Sequence, residues 1–275
     1  MALVSVITGA SSGIGEATAR RLAREPGVRL VLVARRRERL GRLAQELGGA
    51  TVVATDLTSA QAPVAVRQAV ERYHGELHLL VNNAGASWRG RFGDTGWANV
   101  QRHLKVNFEA PVRQTEALLP LLRRTAAASG ADIGQAAPVS GSRPVSIVNV
   151  ASTAARVSRP GAGAYSASKA AFATWTDALA LEESVHGVHV GVVLPGFVPT
   201  EGFPATELRE RALTRWALST HEKVAEAILA AGLGKSAELY VPRPYWLAAA
   251  ARTLVPAVVR RVTAGGAFMT TRTSE

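Results

Sequence analysis

The segment Thr8-Gly9-Ala10-Ser11-Ser12-Gly13-Ile14-Gly15 constrains this chain more than any other. It closes an apolar, strand-like run that starts at Leu3 and opens a helical pattern that starts at Gly13. Glycine, lacking a Cβ, lets the chain turn tightly and lets its backbone approach an anion closely. The helix that follows points its unpaired N–H groups at that anion. A strand, a glycine turn and a helix in this order read as the opening of a dinucleotide-binding unit. The spacing is Gly-x-x-x-Gly-x-Gly rather than Gly-x-Gly-x-x-Gly. Glycines also punctuate ordinary turns, so the rest of the chain has to agree.

It does agree. Strand-like runs are expected at 3–8, 29–34, 51–55, 77–82, 145–150, 188–194 and 239–241. Helical patterns are expected at 13–24, 36–47, 60–73, 98–123, 163–186, 207–216, 220–233 and 245–260. Strands that alternate with helices form a parallel sheet joined by crossovers. The strands are rich in Val, Leu and Ile without strict alternation, as strands covered on both faces are. The predicted fold is α/β, a doubly wound parallel sheet of Rossmann type, in a single domain spanning residues 1–275. Residues 126–144 are small, polar and glycine-bearing, and read as an exposed loop. Residues 197–219 carry Pro199 and Pro204 before a short amphipathic helix, and read as a lid. A C-terminal helical segment is expected over 245–263.

Hydrophobic residues make up 47% of the chain, enough to bury a sizeable core. It has no cysteine, which excludes disulfides, thiolate nucleophiles and the usual zinc sites; no metal is expected. The first eight residues lack a basic stretch and run straight into the glycine turn, so they read as a strand and not a signal peptide. No apolar run reaches the roughly 18 to 20 residues of a membrane span. A cytoplasmic protein is expected. The net charge of +11 raises nucleic acid as a partner. Nine arginines from Arg20 to Arg42, set against Glu25 and Glu38, carry much of the excess. That stretch follows the glycine turn and has no interleaved aromatic residues. A phosphate ligand accounts for it better than a nucleic acid does.

In such a fold the end of the second strand meets the adenosine ribose. An acid there bonds the 2′-hydroxyl of NAD, whereas an arginine forks onto the 2′-phosphate of NADP. Here Ala34 is followed by Arg35, Arg36 and Arg37, with no acid before Glu38. The expected cofactor is NADP(H), with Arg35 the first contact and Arg36 the second.

Tyr165 and Lys169 stand four residues apart in a strong helical pattern and share one face. A phenol, with a pKa near about 10, is a poor base at neutral pH unless a nearby ammonium lowers that value. Alone, the pair is an ordinary helix-surface contact. In its context the chain resembles the classical short-chain dehydrogenases/reductases over nearly its whole length. Residues 8–15 match the family's Thr-Gly-x-x-x-Gly-x-Gly, and Asn82-Asn83-Ala84-Gly85 its Asn-Asn-Ala-Gly. Tyr165-Ser166-Ala167-Ser168-Lys169 matches its Tyr-x-x-x-Lys, with Ser152 at 13 residues before the tyrosine. Pro195-Gly196, with Thr200 four residues on, matches its Pro-Gly segment.

The resemblance implies roles. Ser152 polarises the substrate oxygen. Tyr165 gives that oxygen a proton in reduction or takes one in oxidation. Lys169 holds the nicotinamide ribose and depresses the Tyr165 pKa. Asn107 anchors a water that relays protons to Lys169; read alone, it is also an asparagine satisfied inside a helix. Asp56, followed by Leu57, meets the adenine amino group, or serves as a turn acid. Gly9, Ser11, Ser12, Gly13, Ile14 and Gly15 cradle the pyrophosphate, and Asn82, Asn83, Ala84 and Gly85 line the ribose side. Pro195, Gly196 and Val198 close the nicotinamide side, and Thr200 contacts the nicotinamide carboxamide or the pyrophosphate, or is a plain loop hydroxyl.

The implied reaction moves a hydride between NADP(H) and a carbonyl or secondary alcohol, in a homo-dimer or homo-tetramer. A ketoacyl-type reductase is an alternative, its surface arginines meeting an acidic carrier. A dinucleotide sensor without turnover is another. Phe197, Phe203, Leu208, Leu213 and Trp216 offer an apolar pocket for a small-molecule substrate. Residues 245–262 mix an apolar face with Arg252, Arg260 and Arg261, and Pro256 is expected to kink or end the helix. Such a segment fits an anionic membrane, the subunit's own core or a neighbour's core.

Overall fold

The computed structural model describes residues 2–129, 144–199 and 218–264. Its centre is one parallel sheet of seven strands. These are β1 (Leu3–Thr8), β2 (Val28–Ala34), β3 (Thr51–Ala54), β4 (Leu79–Asn82), β5 (Val145–Val150), β6 (Val188–Pro195) and β7 (Glu238–Val241). They lie in the order β3-β2-β1-β4-β5-β6-β7. The order reverses between β1 and β4, and that switch point is where doubly wound sheets open a crevice beyond their carboxyl ends.

Nine helices are described: α1 (Gly13–Leu22), α2 (Arg37–Glu46), α3 (Ala62–Tyr73), α4 (Phe92–Leu104), α5 (Ala110–Ala128), α6 (Gly163–Ser184), α7 (His221–Gly232), α8 (Tyr245–Leu254) and α9 (Pro256–Ala264). Successive side chains of a strand point to opposite faces. Leu3 and Ile7 of β1 therefore enter an apolar layer with Leu22, Leu40 and Ile228. Val4 and Val6 enter the other layer, with Val66, Val70, Leu118 and Leu179. Both faces being covered explains why the strands show no polar alternation.

The expected helix 98–123 is not continuous. It divides into α4, a single π turn at Lys105–Glu109, and α5. Pro111 has no N–H to give the Asn107 carbonyl four residues back, so the ladder slips there. The Ala110 N–H bonds the Lys105 carbonyl, five residues back. α4 also starts at Phe92, earlier than expected, because Gly93 and Gly96 obscure the helical pattern. Gly96 itself is non-helical, with φ 58°. α5 runs on to Ala128, into the stretch read as a loop, and 130–143 lie outside the described residues. So do the helix expected at 207–216 and most of the lid expected at 197–219, with Thr200, Phe203, Leu208, Leu213 and Trp216. The C-terminal segment breaks into α8 and α9 at Val255, next to Pro256 as expected.

Candidate active site

One threonine ties the end of β1 to the end of β4. Thr8 Oγ1 donates to the Val81 carbonyl at 3.2 Å and accepts from the N–H groups of Asn83 (3.0 Å) and Ala84 (3.1 Å). Asn83 Nδ2 donates to the Thr8 carbonyl at 2.9 Å. With the two loops held this close, glycine is obligatory in the turn. A Cβ on Gly15 would lie 2.3 Å from the Gly9 carbonyl oxygen and 2.6 Å from Asn83 Nδ2. Gly9, at φ +68°, and Gly13, at φ +57°, adopt left-handed backbone that side chains resist. Gly15 is buried behind the turn and does not face the cavity, so its task is packing and not ligand contact.

The turn fits an anion. His221, the first residue of α7, sets Nε2 3.6 Å from where a Gly13 Cβ would stand. Among the described residues that buried nitrogen has no hydrogen-bond partner. A pyrophosphate laid on the turn would supply one. Arg36 closes the side of the turn, donating to Ser11 Oγ (3.0 Å) and Ser12 Oγ (2.6 Å). Arg35 is exposed at the end of β2 and lines the same cavity, as do Asp56 and Leu57. Asp56 Oδ1 accepts the N–H (2.9 Å) and hydroxyl (2.8 Å) of Thr58. Those two bonds, with the charge of Arg35 adding to them, hold its carboxyl below the usual range.

Beyond the end of β5, Ser152 caps a short 3-10 turn, Thr153–Ala155, and accepts the Ala154 N–H at 3.2 Å. Its hydroxyl also reaches the Pro195 carbonyl at 3.4 Å and the side chain of Tyr165. α6 brings Tyr165 and Lys169 to the same wall. Lys169 is buried and donates from Nζ to the Val150 carbonyl at 2.7 Å. Burial draws its pKa down to about 8. The Tyr165 hydroxyl shifts the other way, upward, because burial outweighs both the Ser152 bond and the positive charge of Arg159. The lysine is spent on the Val150 carbonyl, and the cation bearing on Tyr165 is Arg159.

Asn107 sits fully buried in the π turn. Its side chain accepts the Ala86 N–H and donates to the Ala86 carbonyl, both at 2.9 Å. It also donates to Ser168 Oγ at 3.0 Å, and Ser168 donates on to the Tyr165 carbonyl at 2.8 Å. Asn107 therefore clamps the Ala86 loop to the helix that carries Tyr165. Asn82 is likewise turned inward, which corrects the expectation of a ribose contact. It donates to Thr115 Oγ1 and Asn149 Oδ1, both at 2.9 Å, and Asn149 continues to Thr176 on α6.

All of these groups meet in or behind one cavity of about 1490 Å³. Every residue expected to touch cofactor or substrate oxygen lines it except Gly15 and Asn82, with Asn107 behind it and Thr200 outside the described residues. Sequence reasoning missed His103, Arg159, His221 and Tyr245. His103 is buried, with Nδ1 at 2.7 Å from the Asn99 carbonyl and Nε2 accepting the Trp88 N–H at 3.0 Å. Burial lowers its pKa, so the ring is a neutral wedge, packed edge-on against Trp88 at 5.0 Å and Tyr165 at 6.2 Å. Arg159 lies 4.8 Å from the Phe197 ring. Burial raises the Tyr245 hydroxyl to about 12. No spacing rule marks any of the four; only the fold brings them together.

Known proteins share this sequence family and this fold. A sequence profile of the short chain dehydrogenases matches residues 3–210. Dehydrogenase/reductase SDR family member 7B of Danio rerio is 35% identical over 208 residues, 72% of this chain and 61% of that protein. The match thus spans about three fifths of that relative's length. The ketoacyl reductase HetN of Nostoc sp. is 30% identical over 240 residues, 86% of this chain and 77% of that one. Among solved structures, the Pseudomonas aeruginosa RhlG/NADP active-site complex superposes with a TM-score of 0.73 at 26% identity, covering 87% of this chain and 94% of the other. A short-chain dehydrogenase from Streptomyces avermitilis superposes at 0.75 with 27% identity, covering 96% of each. By sequence and by fold, the chain belongs to the short-chain dehydrogenase family of oxidoreductases.

Proposed function

We propose that the protein is an NADP(H)-dependent oxidoreductase that interconverts a carbonyl and a secondary alcohol, with Tyr165 as its general acid/base. The observation that carries this reading is that Ser152, Tyr165 and Lys169 line one wall of a cavity whose far end is the glycine turn. A phenol whose pKa is raised stays protonated at neutral pH. In reduction it gives its proton to the carbonyl oxygen, and in oxidation it takes one from the alcohol. Ser152 holds that oxygen beside it. Lys169, anchored on Val150, holds the nicotinamide ribose. Asn107 acts from behind, through Ser168, by fixing the pitch of α6. Bound NADPH supplies the hydride.

Along the cavity, Gly9, Ser11, Ser12, Gly13 and Ile14 cradle the pyrophosphate with His221, and Arg35 and Arg36 take the 2′-phosphate. Asp56 and Leu57 flank the adenine, while Asn83, Ala84 and Gly85 line the ribose. Pro195, Gly196 and Val198 close the nicotinamide side. The arginines after Ala34 support NADP over NAD, and the Pseudomonas aeruginosa relative is itself an NADP complex. Val157, Ala162, Phe197 and Tyr245 favour a small, largely apolar substrate. The whole chain works as one catalytic unit, as a cytoplasmic homo-dimer or homo-tetramer. A second reading, a ketoacyl-type reductase on carrier-bound chains, is favoured by the likeness to HetN. A sensor without turnover would not need Ser152, Tyr165 and Lys169 together.

The test is Tyr165→Phe. NADPH-dependent reduction of a ketone panel should fall about a hundred- to ten-thousandfold, while the NADPH fluorescence shift on mixing persists. Substantial remaining turnover would remove Tyr165 from the role. Arg35→Asp should weaken NADPH more than NADH; an equal effect on both would sink the 2′-phosphate contact.

A further inference from the structure

Helix α8 packs on β7 and on α9, and none of the residues of α8 and α9 is fully buried. Trp246, Leu247, Leu254, Val255, Val258 and Val262 are all exposed, Leu254 to 78%. Trp246, Ala250 and Leu254 recur at four-residue intervals along α8, and Val258 and Val262 do so along α9. Each helix therefore carries an apolar stripe. A contiguous apolar surface rimmed by polar residues marks an interaction site.

The charges identify the partner. From Leu239 through Ala264 the chain has no aspartate or glutamate, while Arg243, Arg252, Arg260 and Arg261 are spread along it. Arg243, Arg260 and Arg261 are exposed. A second copy docked about a twofold axis would set this arginine-bearing face against itself, with no acid between Leu239 and Ala264 to pair with the arginines. An anionic bilayer accepts both features. Apolar side chains enter the headgroup–acyl boundary and arginines meet the phosphates. Among the described residues no helix is long and apolar enough to cross a membrane. Leu247, Val258 and Val262 also line the cavity, which puts its rim on the same face.

We infer that α8 and α9 form a docking face for anionic membrane surfaces, and that the cavity takes its apolar carbonyl substrate from the lipid beneath it. The second half rests on the proposed oxidoreductase reading; the first does not. The full chain, sedimented with phosphatidylcholine vesicles that contain phosphatidylglycerol, should pellet with them and stay in solution with phosphatidylcholine alone. The triple variant R252E/R260E/R261E should lose about a hundredfold in partitioning. Trp246→Ser with Leu254→Ser should lose binding as well, with thermal unfolding unchanged because neither residue is buried. Arg42→Glu on α2 should change nothing. Docking is overturned if the wild type stays in the supernatant or pellets equally with both vesicles. It is also overturned if the serine variant only lowers the oligomer mass and still pellets. For delivery, the triple variant should slow NADPH-dependent reduction of 2-dodecanone in the vesicles and spare that of dissolved cyclohexanone. Equal slowing, or none, overturns delivery. If the wild type reduces neither ketone, the oxidoreductase reading and delivery fail together, and sedimentation still decides docking.

Discussion

At the glycine turn between β1 and α1 there is no room for a methyl group on Gly15, whereas on α8 and α9 no side chain is fully buried. Both regions line the same cavity. The first meets a ligand whose shape is constant, so backbone carbonyls, N–H groups and glycines specify it to a fraction of an ångström. The second is built from alanine, valine, leucine and arginine, whose partner is not within the chain's own core. Rigidity at one end and exposure at the other divide the work between holding a cofactor and meeting whatever brings the substrate.

The sharpest break of that contrast is Gly15→Ala. Its Cβ would stand 2.3 Å from a backbone oxygen, so the turn itself must move. Overpacking of this kind costs about 1–3 kcal/mol. A displacement near 1 Å also costs roughly a hundredfold in turnover. Thermal unfolding and an NADPH titration should both register the change. Wild-type NADPH affinity in this variant would mean that the turn is not the rigid cradle described. A step smaller in activity is Leu22→Ala, which empties the fully buried layer beneath α1 and should cost about 2–5 kcal/mol in urea unfolding.

The same contrast decides what could be read from sequence. β1 and β5 take the bounds their apolar runs indicate, since buried parallel strands leave a continuous signal. The glycine turn and the Ser152–Tyr165–Lys169 set were legible because chemistry fixes their spacing. The π turn was not, although Pro111 marks it, because that signal lies four residues from Asn107 and acts through a missing N–H. His103 and Arg159 left no trace. Each works by proximity to Tyr165, and proximity across elements has no period in sequence. The inward turn of Asn82 and the outward position of Asn83 were indistinguishable until β4 and β5 were in register.

Lys169 sits where the two ends meet, and its burial predicts a pH dependence. Its pKa falls from 10.5 to about 8 in the fold. Between those values the unfolded chain holds a proton on this lysine that the folded chain has released. Stability from this group therefore rises with pH across that window and is flat below it. The gain is at most about 3 kcal/mol. Lys169→Met removes it, so the wild type should gain on the variant in urea unfolding as the pH goes from 8 to 10.5. A constant difference would show that the ammonium is not held in a dry site.

The smallest expected effect is the most informative about the exposed end. Leu254 is 78% accessible, and Leu22 is not accessible at all. Large-to-small substitution costs stability in proportion to the buried apolar surface removed and the cavity left behind, and an exposed leucine has little of either to give up. Leu254→Ala should therefore shift unfolding by no more than about 0.5 kcal/mol, against the several expected for Leu22→Ala. A cost comparable to that of Leu22 would mean that Leu254 is covered in the folded protein, by another copy of the chain. That cost would then shrink as the protein is diluted, since stability drawn from association follows mass action. A small cost independent of concentration leaves the apolar stripe uncovered in solution, which is the condition a membrane-facing surface has to meet.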